Sequence, residues 1–290
     1  MTMSEPTHER PEIVNTLNTH EFAVIQAPHS RWRRLCDNGA FRKTLVLVVL
    51  MVIWEVYARA LANPLLFPTF SATVGALLSA LVTGELPRAA AATLILLFKG
   101  YLAGLLLAAL LTAFASMTRI GADILETLTA MFNPLPSIAL LPLALIWFGL
   151  GEGSIIFVLI HAVVWAVALN AFAGFRSVSP TLNMVGRNYG LSRAGFVLRI
   201  LIPGAFPSIL TGLKIGWAFA WRTLIAAELV FGVSSGSGGL GWYIYQSKNQ
   251  LEIPAVFAGL LTVILFGLSV ENLVFRVIEK HTVRRWGMAS

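Results

Sequence analysis

Two groups of residues in this chain have types and spacings that could do chemistry. The first is a set of ionisable side chains inside apolar runs: Glu55, Arg59, Lys99, His161, Lys214, Arg222, Glu228 and Glu271. A charge in hydrocarbon is costly, so such groups face a bundle interior or a water path, or reach back to the interface. Arg59, Lys214 and Glu271 stand near the ends of their runs and read as interfacial. Lys99 lies about ten residues into its run, too deep to escape easily. Two readings stand for it: half of a buried ion pair, with Glu55 or Glu228, or an anion-attracting group on a transport path. Arg222 and Glu228 sit on different helix faces and are not expected to pair. His161, alone on an apolar face, reads as a satisfied interior histidine.

The second group is the polar, basic segment 177–203 between two apolar runs, holding Arg187, Arg193 and Arg199. Residues 181–189 can form a short helix, and Gly190 supplies a free backbone turn. Ser192 can cap a second helix over 193–201, with Phe196, Val197, Ile200 and Leu201 along one face. Pro203 is expected to stop that helix, and Pro207 to fit the first turn of the next span. The pattern fits either a hairpin that merely bridges two spans or a lever that inserts into a cytoplasmic partner.

Other chemistries find no support. Paired carboxylates, His/Cys clusters and a Ser-His-Asp arrangement are absent, so no catalytic residue and no metal site is expected. The loop Gly232-Val-Ser-Ser-Gly-Ser-Gly-Gly-Leu-Gly241 lacks the Gly-Lys-Ser/Thr that would cradle phosphates. The lone Cys36 allows no internal disulfide.

The elements that must position these residues are membrane spans. Of the 290 residues, 57% are hydrophobic and 12% charged, with a mean hydropathy of +0.77. That leaves too little polar surface for a water-soluble particle. The net charge of +7 does not form an aromatic-studded basic patch, so no nucleic acid is expected. Residues 1–43 read as a flexible extension that is not a cleaved signal peptide, ending in Arg31, Arg33, Arg34, Arg42 and Lys43. Apolar spans are expected at 44–62, 89–115, 154–176, 205–231 and 254–276. Between the first two, 71–86 reads as an interfacial helix capped by Ser71. The stretch 120–150 contains Pro134, Pro136 and Pro142, and reads as one kinked span or a span with a re-entrant end, facing protein or a cavity. Residues 242–252 read as a polar loop, and 277–290 as a basic tail. Most of the 21 lysines and arginines fall on one side of this map, with Arg88 and Lys248 in the opposite loops. The positive-inside rule then places both termini and the 177–203 loop in the cytoplasm. The expected fold is all-α, with about six transmembrane helices.

Gly190, nine residues, then Ile200-Leu201-Ile202-Pro203 resembles the glycine-to-proline half of the EAA loop of ABC-importer permeases. The resemblance extends in order over about 60–280, through LLFPTFSAT, TGEL, NPLPSIALLPLALIWFGLGEGS, GLSRAGFVLRILIPGAFPSILTGLKIGWAFAW, AAELVFG and GGLGWYI. It is nearest to the nitrate/sulfonate/taurine group of binding-protein-dependent permeases. It implies a type I, MetI-like transmembrane domain in a cytoplasmic (inner) membrane, working as a homodimer. Two ABC ATPase subunits would carry the ATP and Mg, and an extracytoplasmic solute-binding protein would deliver substrate. The chain itself would bind no cofactor. The ATPase-docking residues would be Arg187, Gly190, Leu191, Ser192, Arg193, Phe196, Ile200 and Pro203. Candidates for the translocation path are Lys99, Pro134, Pro136, Trp221, Arg222 and Glu228. The chain departs from the family at Met184, Val185 and Gly186, where Glu-Ala-Ala or a close variant is usual, and at Lys99, where arginine is typical. A secondary transporter or channel is the alternative; it would show an internal repeat and a charge relay, and neither is found.

Overall fold

Runs of leucine, alanine and valine in segments this long leave the backbone one way to satisfy itself in lipid, and the chain takes it. The computed structural model describes residues 38–231 and 238–282, and every regular element among them is helical. Five helices are long and apolar enough to cross a membrane, or six spans if one bent pair counts as a crossing. In order they are α1 (Gly39–Leu61), the short α2 (Phe70–Val82), α3 (Glu85–Met117), α4 (Arg119–Phe132) and α5 (Leu141–Phe148). Then come α6 (Glu152–Ser177), α7 (Pro180–Asn188), α8 (Arg193–Phe196), α9 (Ile202–Phe231), α10 (Leu240–Asn249), α11 (Ile253–Ser269) and α12 (Arg276–His281). Most of the extension 1–43, the glycine-rich loop at 232–237 and the tail at 283–290 lie outside the described residues.

The chain divides into two units, 1–53 and 54–290. In the first, the described residues open α1, and Leu45, Leu47, Leu50 and Ile53 are exposed along it. A helix apolar on every side suits a lipid environment. In the second, α6 is the central post, with Val158, Leu159, Val163 and Ala168 fully buried. Small residues let its neighbours come close. A Cβ on Gly100 of α3 would lie 2.5 Å from a Leu159 methyl, and one on Gly104 would lie 2.7 Å from Val163 Cβ. On α9, a Cβ on Gly216 would lie 2.9 Å from a Val167 methyl. Backbones this close gain dispersion contacts that lipid tails cannot match.

Several local expectations are corrected. Thr69, not Ser71, caps α2: the Thr69 hydroxyl accepts from Ala72 N at 3.2 Å. Ser71 instead donates its backbone N–H (3.0 Å) and its hydroxyl (3.0 Å) to the Glu55 carboxylate. Glu55 holds Arg59 at 2.7 Å as well. The stretch 120–150, by contrast, is broken as expected, with α4 and a 3₁₀ turn leading into α5 as two arms bent by 89°. Pro134 and Pro136 sit at that bend, where each removes an N–H from the ladder. Pro203 does not stop the preceding helix. A π turn over Val197–Leu201 runs directly into α9, with Ile202 N–H donating to Val197 C=O. The wider turn absorbs the break that Pro203 would otherwise force. Pro207 consequently lies inside α9, not in its first turn. Residues 240–249, read as loop, form α10.

Candidate functional site

The loop between α6 and α9 is a helix–turn–helix. α7 ends in a left-handed cap: Gly190 has φ +62°, and Leu191 N–H reaches back to Gly186 C=O at 3.3 Å. This is the six-to-one bond of a glycine-terminated helix. Ser192 then caps α8, its hydroxyl accepting from Gly195 N at 3.2 Å. Gly186 and Phe196 fasten the two arms, because a Cβ on Gly186 would lie 2.6 Å from Phe196 Cδ2. The same Cβ would lie 3.4 Å from Ile200 Cγ1 of the π turn. The structure therefore gathers Gly186, Gly190, Ser192, Phe196 and Ile200 into one turn. Pro203 lies in the opening turn of α9. The side chains of Arg187 and Arg193 lie outside the described part of the loop.

The expected path residues are spread among separate contacts. Lys99 reaches neither Glu55 nor Glu228; its Nζ lies 2.6 Å from Glu152 in the first turn of α6. Both side chains are half-exposed. Glu55 is occupied by Ser71 and Arg59, which explains why it was the wrong partner. Glu228 is buried and anchors α10. Its carboxylate accepts from Thr93 Oγ1 of α3 and from Gly241 N at 2.9 Å. Thr93 Oγ1 in turn accepts from Leu240 N at 2.8 Å. Trp221, also buried, lies 6.4 Å from the Phe266 ring of α11.

Arg222 stands differently. It is exposed on α9, donates Nε–H to its own helix at Ala218 C=O (3.0 Å), and lies 5.3 Å from the Phe219 ring. Among the described residues no carboxylate pairs with it. Lys214 is paired with Glu279 at 2.6 Å.

His161 is less isolated than its sequence context indicates. Its Nδ1 lies 3.2 Å from Ser137 Oγ, beside the 89° bend. Phe132 stacks on Trp165 at 5.4 Å. Around them Thr129 Oγ1, His161 Nε2 and Trp165 Nε1 are buried without a hydrogen-bond partner among the described residues. At the far end of α9 from the loop, a cleft of about 580 Å³ is lined by Glu85, Arg88, Trp242, Tyr243, Gln246 and Glu252 among others. Burial there, followed by the nearby Glu85, pushes the Tyr243 hydroxyl pKa up.

The roles of Thr93, Glu152 and Ser137 were not found by sequence reasoning. A threonine in an alanine-rich run and a glutamate in a glycine turn carry no pairing signal. Only Glu152's place at a helix start, where a carboxylate is favoured, hinted at more than a turn.

Residues 100–284 match the family described as the binding-protein-dependent transport system inner membrane component. The chain belongs to this family. The taurine transport system permease protein TauC of Escherichia coli is 31% identical over 262 residues, covering 87% of this chain and 94% of TauC. A permease of Bacillus subtilis whose name gives aliphatic sulfonates transport, SsuC, is 25% identical over 247 residues, 85% of this chain and 88% of SsuC. The nitrate import permease protein NrtB of Synechocystis is 30% identical over 152 residues, 52% of this chain and 54% of NrtB. As a member of the family, this chain is a multi-pass permease subunit of an ABC transporter. The matched range opens at Gly100, so α1, α2 and the first half of α3 lie ahead of it.

Proposed function

We propose that this permease imports a small solute with an anionic head of the sulfonate or nitrate kind, and that Arg222 meets that head on the path. Arg222 is the observation that carries the reading. A guanidinium in the midst of an apolar helix, with no carboxylate beside it among the described residues, is untenable against lipid. It needs water, an anion or a second subunit. The relatives named for taurine, aliphatic sulfonates and nitrate handle solutes with anionic oxygens, which a guanidinium binds in planar, bidentate fashion.

Two copies of the chain would place their α9 faces around a central path in the cytoplasmic (inner) membrane, with both termini in the cytoplasm. The 177–203 loop would dock in a separate ATPase subunit that holds the ATP and Mg. A solute-binding protein would deliver substrate at the opposite side. ATP binding and hydrolysis in the partner would then switch the path between outward and inward access. This chain would position solute and transmit motion without a reaction of its own.

Uptake of labelled taurine, an alkanesulfonate and nitrate, each competed by the others, tests the substrate class. With the best of them, Arg222→Gln should lower uptake by about tenfold or more while Arg222→Lys keeps a large part, as expected for one charge-assisted contact. ATPase association should be unchanged in both. Wild-type uptake by Arg222→Gln would remove Arg222 from the path.

A further inference from the structure

The loop that docks the ATPase, on the reading above, carries no acid. From Gly153 to Ala227 the sequence holds no aspartate or glutamate, while Arg176, Arg187, Arg193 and Arg199 all fall in or beside the loop. Uncharged polar side chains (Ser179, Thr181, Asn188, Ser192) share its exposed surface with large apolar ones. Met184 is 61% exposed, Tyr189 81% and Leu198 65%, and Leu182 is also exposed. The turn that presents them is fixed by the left-handed Gly190 and by Phe196 lying against Gly186. Exposed apolar side chains on a turn built this tightly mark a contact surface.

We infer that the loop seats in a groove of the ATPase whose floor and walls are apolar and whose rim is acidic, with no basic residue facing Met184. The inference rests on the docking reading and specifies its partner. A cation in the groove opposite Met184 would be desolvated without a counter-charge and would face the loop's own arginines. Carboxylates at the rim would pair with Arg199 and its neighbours.

A lipid surface also takes basic, apolar helices, but it takes them on one face. Leu182 of α7 and Tyr189, which continues its last turn, share one face, whereas Met184 lies about 200° round the helix from Leu182. Apolar groups on opposite sides of one helix cannot all enter a flat interface. A groove with two walls covers both.

The test uses the purified permease in nanodiscs with its coexpressed ATPase subunit, comparing wild type with Met184→Glu, Met184→Gln and Arg199→Glu. Met184 is exposed, so these variants should melt like wild type. ATPase affinity should fall about tenfold or more in Met184→Glu, which buries an unpaired carboxylate against an apolar wall beside an acidic rim, and clearly less in Met184→Gln. It should also fall in Arg199→Glu, and in wild type as salt is raised. Tighter binding by Met184→Glu would show a cation in the groove, and equal binding would show no apolar wall at Met184; either overturns the inference. A bimane label on Met184→Cys, in a Cys36→Ser background, should be shielded by added ATPase and untouched by brominated lipid. Quenching by the lipid would assign this surface to the membrane. Failure of folded wild-type permease to bind the ATPase would refute the docking reading itself; normal wild-type binding with no loss in Met184→Glu would refute only the groove chemistry.

Discussion

Thr93 Oγ1 lies 3.0 Å from each carboxylate oxygen of Glu228, joining α3 to α9 across 135 positions of sequence. The same hydroxyl accepts from Leu240 N, and Glu228 accepts from Gly241 N, so the pair also holds the N-terminus of α10. A helix start presents unpaired N–H groups, and here a carboxylate and a hydroxyl from two other helices satisfy them. Gly239 is part of the design, since a Cβ there would collide with the Glu228 carboxylate.

Thr93→Val should therefore leave Leu240 N–H without its acceptor and Glu228 with Gly241 N–H but without the Thr93 hydroxyl. The expected cost is about 1–3 kcal/mol. Thr93→Ser should restore most of it. Thermal melts in detergent, read for Thr93→Val, Glu228→Gln and the double variant, check this. Because the two residues act as one unit, the double variant should lose clearly less than the two single losses added.

At Gly190 of the 177–203 loop the strain is in the backbone alone. Nothing lies within 4 Å of a Cβ built on Gly190, so Gly190→Val should cost about 1–2 kcal/mol from the left-handed conformation and not from a clash. Gly186→Ala should harm the loop for the opposite reason, contact with Phe196. Gly186→Ala should thus be relieved by Phe196→Ala, whereas Gly190→Val should not be. The readouts are ATPase copurification and uptake, with membrane insertion unchanged. Relief of Gly190→Val by Phe196→Ala would contradict the assignment.

Sequence made the long helices, the bend at Pro134 and Pro136, and the Gly190 turn legible because each depends on local chemistry. Hydropathy, a missing proline N–H and a missing glycine Cβ act within a few residues. What stayed hidden depends on which helices touch. Lys99 pairs with a residue 53 positions away and Glu228 with one 135 away, and no periodicity encodes such distances. His161 read as an ordinary interior residue, since nothing local announces that the bend brings Ser137 beside it. Pro203 misled in another way. Its missing N–H was read as a stop, but a π turn over five residues takes up the missing bond and keeps the chain helical.

The side of the membrane on which each end lies is open to a direct measurement. In a Cys36→Ser background, a membrane-impermeant thiol reagent added to intact cells should label Gln250→Cys, in the turn after α10. It should leave Ser192→Cys, in the 177–203 loop, unlabelled until the membrane is permeabilised. The reverse pattern would invert the topology that the positive charges indicate, and with it the docking reading.

Lys99 offers the sharpest separation between structure and transport. Its ammonium and the Glu152 carboxylate are 2.6 Å apart and half-exposed in the subunit. Lys99→Met removes a charge-assisted hydrogen bond and leaves Glu152 unpaired, and the loss should be about 1–3 kcal/mol, toward the lower end where water reaches the pair. Glu152 heads a helix, and its favourable place at that N-terminus limits the damage further. Adding Glu152→Gln should restore the melting temperature and the abundance, because no charge is then left without its partner. Glu55→Gln and Glu228→Gln should restore neither, since those carboxylates serve Ser71 with Arg59 and Thr93 with Gly241. Uptake in the rescued Lys99→Met, Glu152→Gln pair then decides the role of the lysine. Transport that returns with stability makes Lys99 a brace between α3 and α6. Transport that stays low in a stable, ATPase-bound subunit places its positive charge on the path of the solute.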